Sequence, residues 1–218
     1  MSAPLIVFSG LDGAGKTTQI NLLVEDLRNR GSRPCRIWIR GGYTPIFEIA
    51  KRLLRRAPVG VLPPAGHSEQ RTRVMNGRLL DLWLVLSILD LILLCGIGIR
   101  LLRASGRPVI CDRYIHDTEL DFQLNFPARQ VNNWLLFRLL KRIAPKPTNA
   151  LMLLIPVEES LTRSRLKDEP FPDTRETLER RLAQYRQISR VNRFKVFDCT
   201  QPVSVIAAEI GRTVEVLD

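Results

Sequence analysis

The chain has 218 residues, with 33 Lys+Arg against 22 Asp+Glu and a formal net charge of +11. Hydrophobic residues make up 45% and charged residues 25%, which argues against wholesale disorder and leaves enough apolar side chain for a substantial core. The four cysteines (Cys35, Cys95, Cys111, Cys199) form no CxxC pair, and the two histidines, His67 and His116, lack metal spacing; a zinc module and a disulfide scaffold are both disfavoured, and the thiols read as reduced and intracellular. The basic surplus is nearly all arginine and asks for an anionic partner: nucleic acid, a membrane surface or phosphate ligands. Basic residues are spread along the chain, and only three Trp and three Tyr are present to stack on bases, so no nucleic-acid partner is expected.

In chain order, Leu5-Ile6-Val7-Phe8 predicts a buried strand; it lacks a charged n-region and is too short for a signal peptide. A Gly-rich turn follows, then a helix over 17–30 with Ile20, Leu23, Val24 and Leu27 on one face and Gly31 as its stop. Residues 35–39 predict a second strand, and 57–66 a Pro/Gly-rich surface loop. The segment 82–99 is 18 residues long with Asp90 as its only charge. That length permits a membrane span, but Asp90 near its middle would cost roughly 2.5–3.5 kcal/mol in lipid, and its ends must return to one sheet. A buried helix suited to a dimer interface is the expectation, with peripheral contact to a membrane surface as the alternative. Further along, 109–111 predicts a third strand, 128–143 a helix opened by Pro127, 150–155 a fourth strand, 177–191 a helix with Leu178, Leu182, Tyr185 and Ile188 on one side, 194–197 a fifth strand and 203–213 a closing helix. Strands alternating with helices imply α/β architecture with a parallel sheet covered on both faces. No internal repeat or domain boundary is visible, so 1–218 is expected to be one domain.

The strongest local signal is Gly10-Leu11-Asp12-Gly13-Ala14-Gly15-Lys16-Thr17, which matches GxxxxGK[ST] between a strand and a helix. The glycines let backbone N–H groups of this phosphate loop wrap a polyphosphate, and the following helix offers its positive dipole end. Lys16 is expected to reach the β- and γ-phosphates and the Thr17 hydroxyl to ligate Mg²⁺. A second element is Asp112-Arg113-Tyr114 at the carboxyl end of the third strand, where open sheets bind ligands. There Asp112 would hold Mg²⁺ through water and Arg113 would grip a phosphate.

These residues resemble the thymidylate kinases. Phe8 through Gln19, which includes Thr18, resembles the opening of that family, and Asp112-Arg113-Tyr114 its DR[YH] motif. The stretch with Glu158, Arg163 and Arg165 resembles the approach to its arginine-bearing lid, expected at about 160–176, and Phe197-Asp198-Cys199-Thr200-Gln201-Pro202 resembles the last strand and the loop against adenine. The resemblance implies a P-loop NTPase three-layer sandwich with a five-stranded parallel sheet, ATP and Mg²⁺, and phosphoryl transfer to a nucleoside monophosphate, dTMP first; with the reduced thiols and the apolar 82–99 helix, a cytoplasmic homodimer is expected. It implies ATP-phosphate contacts from Gly10, Asp12, Gly13, Ala14, Gly15, Lys16, Thr17 and Thr18. It also implies catalytic roles for Lys16, Arg113, Arg163 and Arg165, with Lys167 beside them, because bringing two polyanions together is mostly positioning and charge neutralisation. Arg40-Gly41-Gly42 resembles an Arg-Glu-Pro-Gly-Gly segment without its Glu and Pro, and would bring Arg40 to the acceptor's phosphate. Asp12 would touch the acceptor sugar or the metal-bound water.

Departures from the family cluster at the acceptor. Asp90 falls near the position of a base-binding arginine, and Arg78 and Trp83 lie earlier in the chain. Small polar residues after DR[YH] are replaced by Asp117-Thr118-Glu119-Leu120-Asp121. Asp117 and Asp121 are four apart, on one face of any helix there; they would bind sugar hydroxyls or a cation, or form a solvated acidic face. The alternatives to a dTMP kinase are therefore a P-loop kinase acting on another small acceptor and a membrane-associated nucleotide-binding regulator.

Overall fold

A computed structural model describes residues 2–40, 77–167 and 173–215. The loop expected at 57–66 and part of the lid expected at 160–176 lie outside the described residues. Strands β1 (Leu5–Gly10), β2 (Cys35–Trp38), β3 (Val109–Asp112), β4 (Asn149–Leu154) and β5 (Lys195–Asp198) form one five-stranded parallel sheet in the order β2-β3-β1-β4-β5. Leu5, Ile6, Val7 and Phe8 are fully buried, as a central parallel strand flanked by helices requires. The edge strands β2 and β5 are four residues each and carry exposed Arg36 and Lys195, which discourages pairing with another chain. Among the described residues the helices are α1 (Lys16–Asn29), α2 (Arg78–Leu93), α3 (Ile99–Ala104), α4 (Ile115–Asn125), α5 (Leu135–Ile143), α6 (Val157–Leu166), α7 (Arg175–Val191) and α8 (Val203–Glu215). The architecture is that of a P-loop α/β sandwich.

Two compact units can be distinguished. The first comprises Met1–Trp38, Leu101–Asp117 and Lys146–Asp218 and contains the whole sheet; the second comprises Ile39–Arg100 and Thr118–Pro145 and is helical among its described residues. In the second unit Phe122 packs on Phe126 and Phe137, and Trp83 on Phe126, with ring centroids 6.0–6.4 Å apart.

Two expectations need correction. The helix expected over 128–143 starts only at Leu135. Pro127 opens a 3₁₀ turn (Pro127–Arg129), Gln130 takes φ 44°, a second 3₁₀ turn (Val131–Asn133) follows, and Trp134 is extended. A left-handed residue breaks the i→i−4 ladder, and apolar spacing does not reveal it. The segment 82–99 is helical but not buried all round. Helix α2 runs into a π-helical stretch (Leu94–Gly98) and on into α3. Leu84, Ile88, Leu91, Cys95 and Ile99 are fully buried, whereas Leu82, Leu86, Leu89, Leu93, Ile97 and Leu101 are exposed. One face packs on α5 and the other is an open apolar stripe. Gly96 serves the packed face, because a Cβ there would stand 2.8 Å from Ile143 Cγ2.

Gly10 ends β1 at φ 138°, and a Cβ added there would stand 1.9 Å from the Leu153 carbonyl oxygen on β4. Gly10→Ala is therefore expected to lower stability by roughly 3 kcal/mol, from combined backbone strain and overpacking, measured as a lower midpoint of urea unfolding.

Candidate active site

The phosphate loop leaves the carboxyl end of the central strand and closes at the start of α1. Gly13 and Gly15 take φ 78° and 81°, conformations that L side chains resist, and the Ala14 N–H donates to Leu11 O at 3.2 Å. No side chain caps α1 and no acidic residue lies in its first turn, which leaves its amino-terminal N–H groups for an anion. Lys16, 8% exposed, folds back over the loop and donates to Gly10 O at 2.9 Å and Leu11 O at 2.7 Å. Its Nζ lies 3.6 Å from Asp12 Oδ1. Burial pushes the Lys16 ammonium below its ordinary pKa and the Arg113 cation adds to this, against Asp12, Asp117 and Asp112, which pull it back up. Thr17 and Thr18 are exposed at the mouth of the loop.

Parallel pairing of β1 with β3 sets Phe8 opposite Asp112, so the residues after both strands emerge together. Arg113 takes φ 71° and its N–H donates to Phe8 O at 2.8 Å, which turns its side chain back towards the phosphate loop. Arg113 Nη2 donates to Asp12 Oδ1 in a short ion pair, and Nη1 donates to the Tyr185 hydroxyl at 3.2 Å. Asp12 is thus bridged by Lys16 on one side and Arg113 on the other. Asp112 is 7% exposed, and its Oδ2 accepts from Arg36 Nη2 at 2.7 Å.

Helix α6 braces the loop from the other side. Ser160 Oγ donates to Asp12 O at 2.7 Å. One turn later, Arg163 donates from Nη1 to Gly13 O at 3.0 Å, from Nη2 to Cys199 O at 3.1 Å, and from Nε to Glu159 at 2.7 Å. Arg163 therefore ties the phosphate loop to the turn after β5. Arg165 and Lys167 are exposed.

No family model matches the chain. A thymidylate kinase of Cupriavidus pinatubonensis is 26% identical across the full length of both proteins. One of Bartonella quintana is 28% identical over 96% of this chain and 94% of its own. The probable thymidylate kinase of Pyrococcus horikoshii is 30% identical over 77% of this chain and 72% of its own. The chain belongs to the thymidylate kinase family. It is a kinase, a nucleotide-binding phosphotransferase.

Within this thymidylate kinase-family protein, the first unit gathers Gly10, Asp12, Gly13, Ala14, Gly15, Lys16, Thr17, Thr18, Asp112, Arg113, Asp117 and Arg163 on its sheet's carboxyl side, together with Ser160 and Tyr185, which sequence reasoning did not assign to the site. Tyr185 reads as one more apolar position on the α7 stripe, and Ser160 sits in an unremarkable helical turn, so neither carries a local signal. Arg40 and Asp121 meet in the second unit, where Arg40 Nε donates to Asp121 Oδ2 at 3.0 Å. Asp117 and Asp121 do lie on one helix, α4, but Asp117 is only 1% exposed and its two oxygens accept from Ser9, Tyr114 and Tyr185. The Thr17 hydroxyl and the Asp112 carboxylate are hard oxygen donors, which suits Mg²⁺ held chiefly by phosphates and water; the described residues contain no cluster that would cage a metal by itself.

Because its guanidinium is spent on Gly13, Cys199 and Glu159, Arg163→Ala is expected to loosen the loop and weaken ATP binding by about tenfold, the loss of a charge-assisted hydrogen bond or two. Titration calorimetry with ATP checks this, and unchanged affinity would remove Arg163 from the nucleotide site.

Proposed function

We propose that the protein transfers the γ-phosphoryl group of ATP to a nucleoside monophosphate, with dTMP the preferred acceptor, giving dTDP and ADP. The observation that carries this reading is the Lys16–Asp12–Arg113 chain: a phosphate-loop lysine and a second buried cation share one carboxylate that substrate phosphates can replace. The loop amides from Gly10 to Thr18 and the α1 amino terminus bind the donor phosphates. Lys16 exchanges the carbonyls of Gly10 and Leu11 for β- and γ-oxygens, and Arg113 turns its Nη2 edge from Asp12 to the acceptor phosphate. Asp12, released from both cations, is then available to the acceptor sugar or to metal-bound water. Thr17 and Asp112 would hold Mg²⁺, which supplies further charge neutralisation across the phosphates when bound. Exposed Arg165 on α6 is assigned to the transferred group as charge moves onto the leaving oxygen, and Arg163 acts with it by fixing the loop. Arg40, paired with Asp121, is assigned to the acceptor's phosphate. The two units are proposed to act as one kinase domain, because the chain passes repeatedly from one to the other and neither is a contiguous stretch.

A second reading keeps the donor site and changes the acceptor. It is favoured by Asp121, a buried carboxylate next to Arg40 in the segment where the resemblance weakens, which suits hydroxyl groups better than a second phosphate. Purified protein given ATP, Mg²⁺ and a panel of nucleoside monophosphates, nucleosides and sugar phosphates decides between them. Rapid transfer to dTMP supports the first reading; transfer only to another acceptor supports the second. Lys16→Ala is expected to abolish turnover, by 1,000-fold or more on the order of several kcal/mol of lost transition-state stabilisation, while leaving the circular dichroism spectrum unchanged. Retained turnover would falsify the assignment of the loop.

The partner proposed for the exposed stripe from Leu82 to Leu101 is a second copy of the chain. The stripe runs for about 28 Å along one helical line, at 1.5 Å per residue, and a twofold pairing would cover the same apolar residues on both copies. The 25-residue run is long and apolar enough to cross a membrane by length and composition. Its other face, however, carries buried Ser87 and Asp90 and packs within the second unit, so the helix is unsuited to leave for lipid. The enzyme in this reading is a cytoplasmic homodimer. Light scattering after gel filtration should report a dimer for the native chain and a monomer for Leu86→Glu/Leu93→Glu. A monomeric native chain, or one that sediments with anionic vesicles instead, counts against it.

A further inference from the structure

Asp117 is buried at the first turn of α4, and its two carboxylate oxygens do different things. Oδ2 accepts from the Tyr114 N–H at 3.0 Å and from Ser9 Oγ at 2.5 Å. The first of these is the reach-back bond of a helix start, in which the third helical residue satisfies the backbone of the capping residue. Helix capping accounts for that oxygen alone. Oδ1 accepts from the Tyr185 hydroxyl at 2.8 Å and lies 3.5 Å from Arg113 Nη1. The same Tyr185 hydroxyl accepts from Arg113 Nη1 at 3.2 Å, and Tyr185 is fully buried in α7. Arg113, Asp117 and Tyr185 therefore form a closed triangle in which every edge is a hydrogen bond or an ion pair. Three separate elements supply its anchors: Ser9 comes from β1, Asp117 from α4 and Tyr185 from α7.

We propose that Asp117 and Tyr185 are positioning residues that act through Arg113. This deepens the reading of Arg113 as a phosphate-facing group and rests on it. A guanidinium is a rigid planar fork, so fixing one edge fixes the direction of the other. Asp117 and Tyr185 hold the Nη1 edge inside the protein, and the Nη2 edge is left facing Asp12 in the phosphate loop. Arg113 is 7% exposed and strained at φ 71°, so its place depends on these anchors more than a surface arginine's would. The aspartate also explains a departure noted in the sequence: a full negative charge at 117 offsets the burial of the Arg113 cation, which a small neutral side chain would do less well. Asp117 is on this account an anchor behind the acceptor site and not a ligand of the acceptor.

The test is a double-mutant cycle in the full chain, assayed with ATP, Mg²⁺ and dTMP, together with ¹⁵N spectra of the arginine side chains. Asp117→Asn and Tyr185→Phe are each expected to lower kcat on the order of 100-fold, the scale of a misplaced catalytic group, with the KM for ATP unchanged. Neither should cause a further loss when combined with Arg113→Ala. Both should abolish the slowly rotating Arg113 guanidinium signal, assigned by its absence from Arg113→Lys. Equal losses with and without Arg113, or an unchanged Arg113 signal in both variants, overturn the proposal. Tyr185→Phe keeps the ring and its packing, and carries the test if Asp117→Asn does not fold. The spectra need no acceptor: a native chain that phosphorylates no nucleoside monophosphate refutes the kinase reading of the acceptor, while the Arg113 signal still decides the positioning role.

Discussion

The carboxylate of Asp12 stands between two buried cations, Lys16 and Arg113, and that contact organises the whole site. Two positive groups held close together in a weakly solvated place repel one another, and the depressed pKa direction of Lys16 records both the burial and the Arg113 charge. The carboxylates of Asp12, Asp117 and Asp112 act the other way and make the arrangement tolerable. The same charges are what a pair of phosphorylated substrates would meet. In the proposed reaction phosphate oxygens would take over the part Asp12 plays, and charges held in place in this way lower the barrier to phosphoryl transfer.

Sheet topology makes that contact available. The order β2-β3-β1-β4-β5 places β1 at the centre, with β3 on one side and β4 on the other. The loop after β1 is therefore reached by Arg113 from the end of β3. It is reached by Ser160 and Arg163 from α6, which follows β4. Gly10 is required at the exit of β1 because the Leu153 carbonyl of β4 occupies the space a side chain would take. One strand end thus supplies the phosphate loop while its two neighbours supply the groups that orient it.

The long helix from Arg78 to Ala104 shows a different constraint. It offers one apolar stripe to α5 and leaves a second one exposed. The π-helical stretch Leu94–Gly98 widens the turn without ending the helix and includes Gly96, where a side chain would collide with Ile143. Ser87 and Asp90 are buried on the inner stripe, while Leu82, Leu86, Leu89, Leu93, Ile97 and Leu101 remain exposed on the outer one.

Local signals were sufficient where backbone chemistry is local. The GxxxxGK[ST] spacing between an apolar run and an amphipathic stretch determined the phosphate loop, Lys16 and Thr17, and alternation of strands with helices determined the parallel sheet. Asp112-Arg113 at a strand end likewise stood out in the sequence because its place in the chain is its place in the fold. Residues joined only by long-range packing were not legible: Tyr185 looks like a core position on its helix, Ser160 like any helical serine, and Asp117 like half of an acidic face with Asp121. Which of these aspartates turns inward, to Arg113, and which pairs with Arg40 depends on how α4 meets its surroundings, and no spacing encodes that. The late start of α5 was hidden for a related reason, since Gln130 adopts a left-handed conformation that hydrophobic periodicity does not report. The sequence by itself determined the cradle for an anion, because a short run of glycines and a lysine carries its own geometry; tertiary structure alone decided how the arginine beside it is aimed, because Tyr185, which holds one edge of it, stands 72 residues further along the chain.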